Sequence, residues 1–178
     1  MNVAGSAEKV SAGHRSPLQA LATLSAVALP LYALDQLSKW WIVKNFAPLE
    51  QRVVIEDFFD LCYFMNTGAA FSIGTGNNWF FIVISIAALA GLLFFHARGA
   101  FSDALSRWGS ALVMAGILGN LTDRLVHGHV VDFLLFDLHV RYANPWPAFN
   151  VADSCICIAV GLFLIASFRE GKRTDPTT

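Results

Sequence analysis

The stretch "WFFIVISIAALAGLLFFHA", Trp79–Ala97, decides how the rest of the chain is read. It is apolar on every face, carries no charged residue, and reaches the roughly 20 residues that a helix needs to cross a bilayer. Working outward, three further windows have similar length. These are "LQALATLSAVALPLYALDQLSKWW" (Leu18–Trp41), "SRWGSALVMAGILGNLTDRL" (Ser106–Leu125) and "NVADSCICIAVGLFLIASF" (Asn150–Phe168). Composition agrees. Of 178 residues, 56% are hydrophobic and 14% charged, where a soluble domain carries about a quarter charged residues. The mean hydropathy is +0.54.

The first window also resembles a secretory signal, since Lys9 and Arg15 precede it and "AVA" (Ala26–Ala28) looks like a cleavage site. The apolar run continues through Leu34 and three more spans follow, so it reads as a first membrane helix. The net charge of −1 carries no hint of nucleic-acid binding. Three cysteines cannot all pair, and Cys155 and Cys157, two apart, point to different faces of a helix.

Basic residues set the expected orientation. Lys9, Arg15, Arg98, Arg169, Lys172 and Arg173 fall in short segments on one side, with Arg107 at its edge. The segmentation is a cytoplasmic tail (1–17), helix (18–41), outer loop (42–78), helix (79–97), cytoplasmic loop (98–105), helix (106–125), outer loop (126–149), helix (150–168) and cytoplasmic tail (169–178). The outer loops contain "RVVIEDFFDLCYFM" (Arg52–Met65) and "VVDFLLFDLHVRY" (Val130–Tyr142), rich in β-branched and aromatic residues, and both read as short strands. The fold class is therefore an all-α membrane protein, four transmembrane helices with a small β-rich extracytoplasmic cradle built from the two outer loops.

The intramembrane polar residues share one depth. Asp35 and Lys39 end the first helix, Asn120, Asp123 and Arg124 end the third, and Asn150 and Asp153 open the fourth. Ionisable groups in a span are costly and mark a functional cavity by default. Each also has a plainer reading. Asp35 and Lys39, four apart, could be a snorkelling ion pair; Asp123 and Arg124 could anchor a helix end. Asn150 and Asp153 fit an N-cap with an acid at N3. Gly116 and Gly119 suit close helix packing, and Trp40, Trp41, Trp79 and Trp146 suit an interfacial belt. Asp132 resists such readings, because it sits between Val131 and Phe133 in an apolar strand, where desolvation favours the protonated carboxyl. Asp153 at a helix N-terminus should prefer the charge. Two carboxyls pushed apart in this way make an acid/base pair.

Five motifs now point to one family. "DQLSK" (Asp35–Lys39), "NTGAAFS" (Asn66–Ser72), "GNLTDR" (Gly119–Arg124), "VVDF" (Val130–Phe133) and "PAFNVADS" (Pro147–Ser154), in this order, resemble the bacterial lipoprotein signal peptidase, or signal peptidase II. The resemblance implies an intramembrane aspartic endopeptidase that cleaves diacylglyceryl-modified prolipoproteins just before the lipidated lipobox cysteine. It implies Asp132 and Asp153 as the catalytic pair, with Asn66, Gly68, Asn120, Asp123, Arg124, Asn150, Asp35 and Lys39 binding substrate or ordering the site. It implies no cofactor and no metal. Prolipoproteins and membrane lipids are the expected partners, without nucleic acid, for a monomer. The implied place is the bacterial cytoplasmic (inner) membrane, multi-pass, with both termini cytoplasmic and the site at the outer, periplasmic face. Two departures stand out: Ala115 replaces a common second glycine, and the connection from Asp132 to Asp153, with "ANPWP", is slightly long.

Three other readings compete. A metalloprotease could use His127, His129 and His139 with Asp132, although no H-E-x-x-H occurs. A small polytopic transporter could use Asp35, Asp123 and Asp153, but its polar groups would need to cross the bilayer. A membrane scaffold without peptidase activity would tolerate Asp→Asn changes at 132 and 153.

Overall fold

The structure, a computed structural model, describes residues 17–68, 74–140 and 146–174. The expected tails at 1–16 and 175–178, residues 69–72 of the "NTGAAFS" motif, and "RYANP" at 141–145 lie outside the described residues. The order is α1 (Pro17–Asn45), β1 (Gln51–Ile55), β2 (Phe59–Asn66), α2 (Asn78–Ala97), α3 (Ala104–Val126), β3 (Val130–Phe136) and α4 (Val151–Thr174). Four helices and one small sheet are thus present. Two segments, Asn78–Ala97 and Val151–Gly171, are long and apolar enough to cross a membrane, with mean hydropathies of 2.4 and 2.2. α1 and α3 have the length, at 29 and 23 residues, but carry buried charge near their C-terminal ends.

α3 lies against the other three helices, and its glycines set how closely. A Cβ at Gly116 would sit 2.5 Å from Ile156 Cγ1 and 2.6 Å from the Ala152 carbonyl oxygen, and one at Gly119 would collide with Asp35 Oδ2. The expected role of both glycines in close packing is therefore met, between α3 and α4 at Gly116 and between α3, α1 and α4 at Gly119. α3 starts at Asp103, whose carboxylate accepts from the N–H groups of Leu105 and Ser106 at 2.9 and 3.1 Å. It ends at His127, and Gly128, at φ +76°, turns the chain into β3 through a conformation that glycine adopts without strain.

The sheet is antiparallel, in the order β1-β2-β3. The reading of Arg52–Met65 as strand-forming needs one refinement. The stretch folds back on itself at Glu56–Phe58, where Asp57 takes φ +55°, so it gives a hairpin and not one strand. Turn chemistry at Glu56 and Asp57 overrides the β-forming neighbours. The second stretch also ends early. β3 stops at Phe136, and Asp137 Oδ1 caps the following bend by accepting from His139 N at 2.9 Å. Val131 and Phe133 on β3 join Tyr63, Ile42 and Phe46 in a buried core between sheet and α1. The chain then returns beside β3. Phe149 exchanges backbone hydrogen bonds with Leu134 at 2.8 and 3.0 Å, and that return sets the start of α4 against Asp132.

Candidate active site

Asp132 and Asp153 come from separate elements and meet through one amide. Asp132 is buried on β3, 4% exposed, opposite Phe64 of β2. Asp153 lies in the first turn of α4. Asn150 Nδ2 donates to Asp132 Oδ1 at 2.8 Å, while Asn150 Oδ1 accepts from Asp153 N at 2.9 Å. Asn150 N in turn donates to Asp153 Oδ2 at 3.3 Å. The capping reading of Asn150 and Asp153 is correct, a reciprocal box, yet the same asparagine also ties the cap to Asp132. Asn66 Nδ2 donates to Asp132 Oδ2 at 2.9 Å, and Asn120 Nδ2 to Asp153 Oδ1 at 2.7 Å. Burial, with the charge of Asp153 second, pushes the Asp132 carboxyl up to about 7.

Behind this pair lies a buried ionic cluster. Lys39 Nζ contacts Asp35 Oδ2 at 2.8 Å, Asp123 Oδ2 at 2.9 Å and Asn120 Oδ1 at 3.1 Å, so all three ammonium donors are used. Lys39, Asp35 and Asp123 are 3%, 1% and 2% exposed. That overturns the snorkelling reading of Asp35 and Lys39, because neither group reaches the surface. It also overturns the anchor reading of Asp123 and Arg124. Arg124 is buried, donates to the Gly68 carbonyl at 2.9 Å and lies over the Phe81 ring at 5.1 Å. Through Gly68, whose N–H donates to Asn66 Oδ1 at 2.9 Å, it holds the asparagine that reaches Asp132.

Sequence reasoning missed Gln36. Its Nε2 lies 3.0 Å from Asp123 Oδ1, 3.2 Å from Asp35 Oδ2 and 3.2 Å from the Gly119 carbonyl. Its signal was its place between Asp35 and Lys39 in "DQLSK". Trp146, expected in an interfacial belt, is exposed and also lines the cavity, and its backbone N–H donates to the Phe136 carbonyl at 2.8 Å. Trp40, Trp41 and Trp79 are exposed, as a belt requires.

That cavity, about 830 Å³, is lined by both aspartates, Asn66, Asn120 and Arg124. Phe64, Leu135, Phe149 and Ile156 add apolar lining. The histidines are elsewhere. His127 and His129 have ring centroids 5.9 Å apart at the α3–β3 turn, and exposed His139 pairs with Asp137 at 3.1 Å. Burial, then His127, lowers the His129 imidazole. Among the described residues no group of three or more His, Cys, Asp or Glu could hold a metal ion. Cys62, Cys155 and Cys157 are free, and burial pushes the Cys62 thiol up to about 12.

With this geometry in place, comparison with known proteins is decisive. The family model described as "Signal peptidase (SPase) II" matches residues 27–169. The chain belongs to the signal peptidase II family. A lipoprotein signal peptidase of Neisseria meningitidis serogroup C is 42% identical over 157 residues, covering 83% of this chain and 92% of the relative. That of Bacillus pumilus is 37% identical over 153 residues, covering 85% and 96%. A solved structure described as a bacterial membrane enzyme superposes with a TM-score of 0.80 at 30% identity, covering 89% of this chain and 94% of the other. Family membership makes this chain a peptidase of lipoprotein maturation, and its apolar helices fit a membrane protein.

Proposed function

We propose that Asp132 and Asp153 are the catalytic pair of an intramembrane aspartic endopeptidase that removes signal peptides from diacylglyceryl-modified prolipoproteins. The observation that carries this reading is Asn150, one side chain bonded to both aspartate residues, which line a cavity with further apolar lining. The two carboxyls hold one proton between them. The ionised carboxylate takes a proton from a water, and the resulting hydroxide attacks the scissile carbonyl. The protonated carboxyl donates to the carbonyl oxygen, and a proton then passes to the leaving amine as the C–N bond breaks. Asn66 and Asn120, each donating to one carboxyl, fix their orientation. Phe64, Leu135, Phe149 and Ile156 would receive acyl chain or signal helix.

All four helices cross the membrane in this reading, with the sheet above the outer surface and both termini in the cytoplasm. The polar ends of α1 and α3 and the start of α4 then share the outer face, as the distribution of basic residues requires. The exposed apolar residues Val53, Val54, Ile55 and Phe58 at the β1–β2 hairpin suit contact with lipid or substrate. The enzyme acts as a monomer on prolipoproteins of the cytoplasmic membrane.

The test is a gel-shift cleavage assay in detergent with matched diacylglyceryl-modified and unmodified prolipoprotein. Cleavage of the modified substrate, before its lipobox cysteine and in the presence of a chelator, is expected. Equal cleavage of both substrates would contradict the lipid role of the apolar lining, and loss of cleavage with chelator would move the chemistry to the histidines.

A further inference from the structure

The ionic cluster makes two contacts that the acid/base chemistry does not use. Asp35 Oδ1 accepts from the backbone N–H of Ala152 at 2.8 Å, and Asp123 Oδ2 accepts from the backbone N–H of Val131 at 3.0 Å. Ala152 immediately precedes Asp153, and Val131 immediately precedes Asp132. Each buried carboxylate therefore grips the peptide one residue before one member of the pair. Lys39 joins the two carboxylates, at 2.8 and 2.9 Å. Lys39 thus ties α1 to α3, and the bonds from Asp35 and Asp123 extend the link to α4 and β3.

We propose that Asp35, Lys39 and Asp123 act as a clamp that sets the separation and orientation of Asp132 and Asp153. This rests on those two residues being the catalytic pair. The three are positioning residues, since none lines the cavity. Two arms transmit the clamp. The backbone arm fixes the Cα positions through the Ala152 and Val131 N–H groups. The side-chain arm runs through Asn120. A lysine only donates, so its 3.1 Å contact obliges Asn120 to turn Oδ1 towards Nζ. The amide nitrogen must then face Asp153, where it lies 2.7 Å from Oδ1. Reversing that amide would place an oxygen against the carboxylate.

Close approach is built into the design. Gly119 faces Asp35 where any Cβ would collide with Oδ2, and Gln36 Nε2 donates to one oxygen of each carboxylate. Charges facing the Asp35–Lys39–Asp123 cluster come from α3, α4 and β3: Arg124, Asp153 and Asp132. Replacing Lys39 by arginine keeps the charge, but a planar guanidinium cannot converge three donors from one nitrogen on Asp35, Asp123 and Asn120. It therefore separates geometry from charge.

The experiment compares Asp35→Asn, Asp123→Asn and Lys39→Arg with wild type and Asp132→Asn, in detergent, on diacylglyceryl-modified prolipoprotein. Folded fraction is read by thermal unfolding, and kcat is expressed per folded enzyme. The expected result is a kcat lower by about 10²-fold, as for a misplacement near 1 Å, with KM held within about threefold. A merely structural role would lower the folded fraction and leave the kcat of the folded remainder intact. That result, or a raised KM at unchanged kcat, overturns the clamp. Should the asparagine variants not fold, Lys39→Arg decides by the same readout. An inactive Asp132→Asn beside wild-type kcat in the clamp variants refutes the clamp alone. Cleavage surviving in Asp132→Asn refutes the catalytic pair, and the clamp with it.

Discussion

α2 and α3 are neighbours of similar length and opposite character. α2 is the more apolar, with mean hydropathy 2.4, yet only Ile82 and Leu92 are buried, and Trp79, Phe80, Val83 and Phe95 are exposed. α3 carries Ser110, Asn120, Asp123 and Arg124, and these are among its buried residues. A soluble protein would reverse that arrangement. In a bilayer, lipid tails are as apolar as a leucine, so burying apolar side chains gains little, and the helices are held by close packing of small residues and by polar contacts. Gly109, Gly116 and Gly119 supply the first along α3; Asn120 and Asp123 supply the second. The polar residues of α3 lie in its interior, and the site is built there.

The contrast can be broken most severely by leaving the interior charges unpaired. Lys39→Met strands two buried carboxylates, and thermal unfolding in detergent should register a loss of about 3–5 kcal/mol. Overpacking is milder. Gly119→Ala sets a methyl against Asp35 and Ala152, and the same assay should show about 1–3 kcal/mol lost.

pH sharpens the comparison at the chemical level. Burial pushes the Asp132 carboxyl up to about 7, and the proposed mechanism needs one proton on the pair. The rate should fall about tenfold per unit as pH rises above that value, measured from kcat across pH 6–9. The sign for stability is the same. A carboxyl raised in the folded state binds its proton more tightly than in the unfolded chain, so its contribution is full at acid pH and lost as pH rises through about 7. The smallest effect belongs to α2. Val83→Leu on its exposed face should change stability by no more than about 0.5 kcal/mol, and a larger loss would mean that this face is packed against protein.

Much of this was legible before any coordinate. The cleanest apolar run gave α2, and a carboxyl in the middle of "VVDF" was conspicuous because a strand seldom holds one. The helix cap at Asn150 and Asp153 was visible from spacing alone. What could not be read was convergence. The contact between Asp35 and Ala152 spans 117 residues, and no local pattern announces it. The same holds for Asn66 and Asp132, 66 apart, where pairing of β2 with β3 creates the bond. Trp146 is exposed as a belt residue would be, and only the return of the chain along β3 brings it to the cavity as well. Glu56 and Asp57 divided an apparent strand for the simple reason that a hairpin needs its turn somewhere.

The central claim is that two carboxyls, held together by Asn150, perform the hydrolysis. The most direct measurement is cleavage of diacylglyceryl-modified prolipoprotein by Asp132→Asn and by Asp153→Asn, each confirmed folded by thermal unfolding beside wild type. The account predicts that both variants lose activity by at least about 10²-fold while unfolding near the wild-type temperature. Cleavage at the wild-type rate by either folded variant would contradict it.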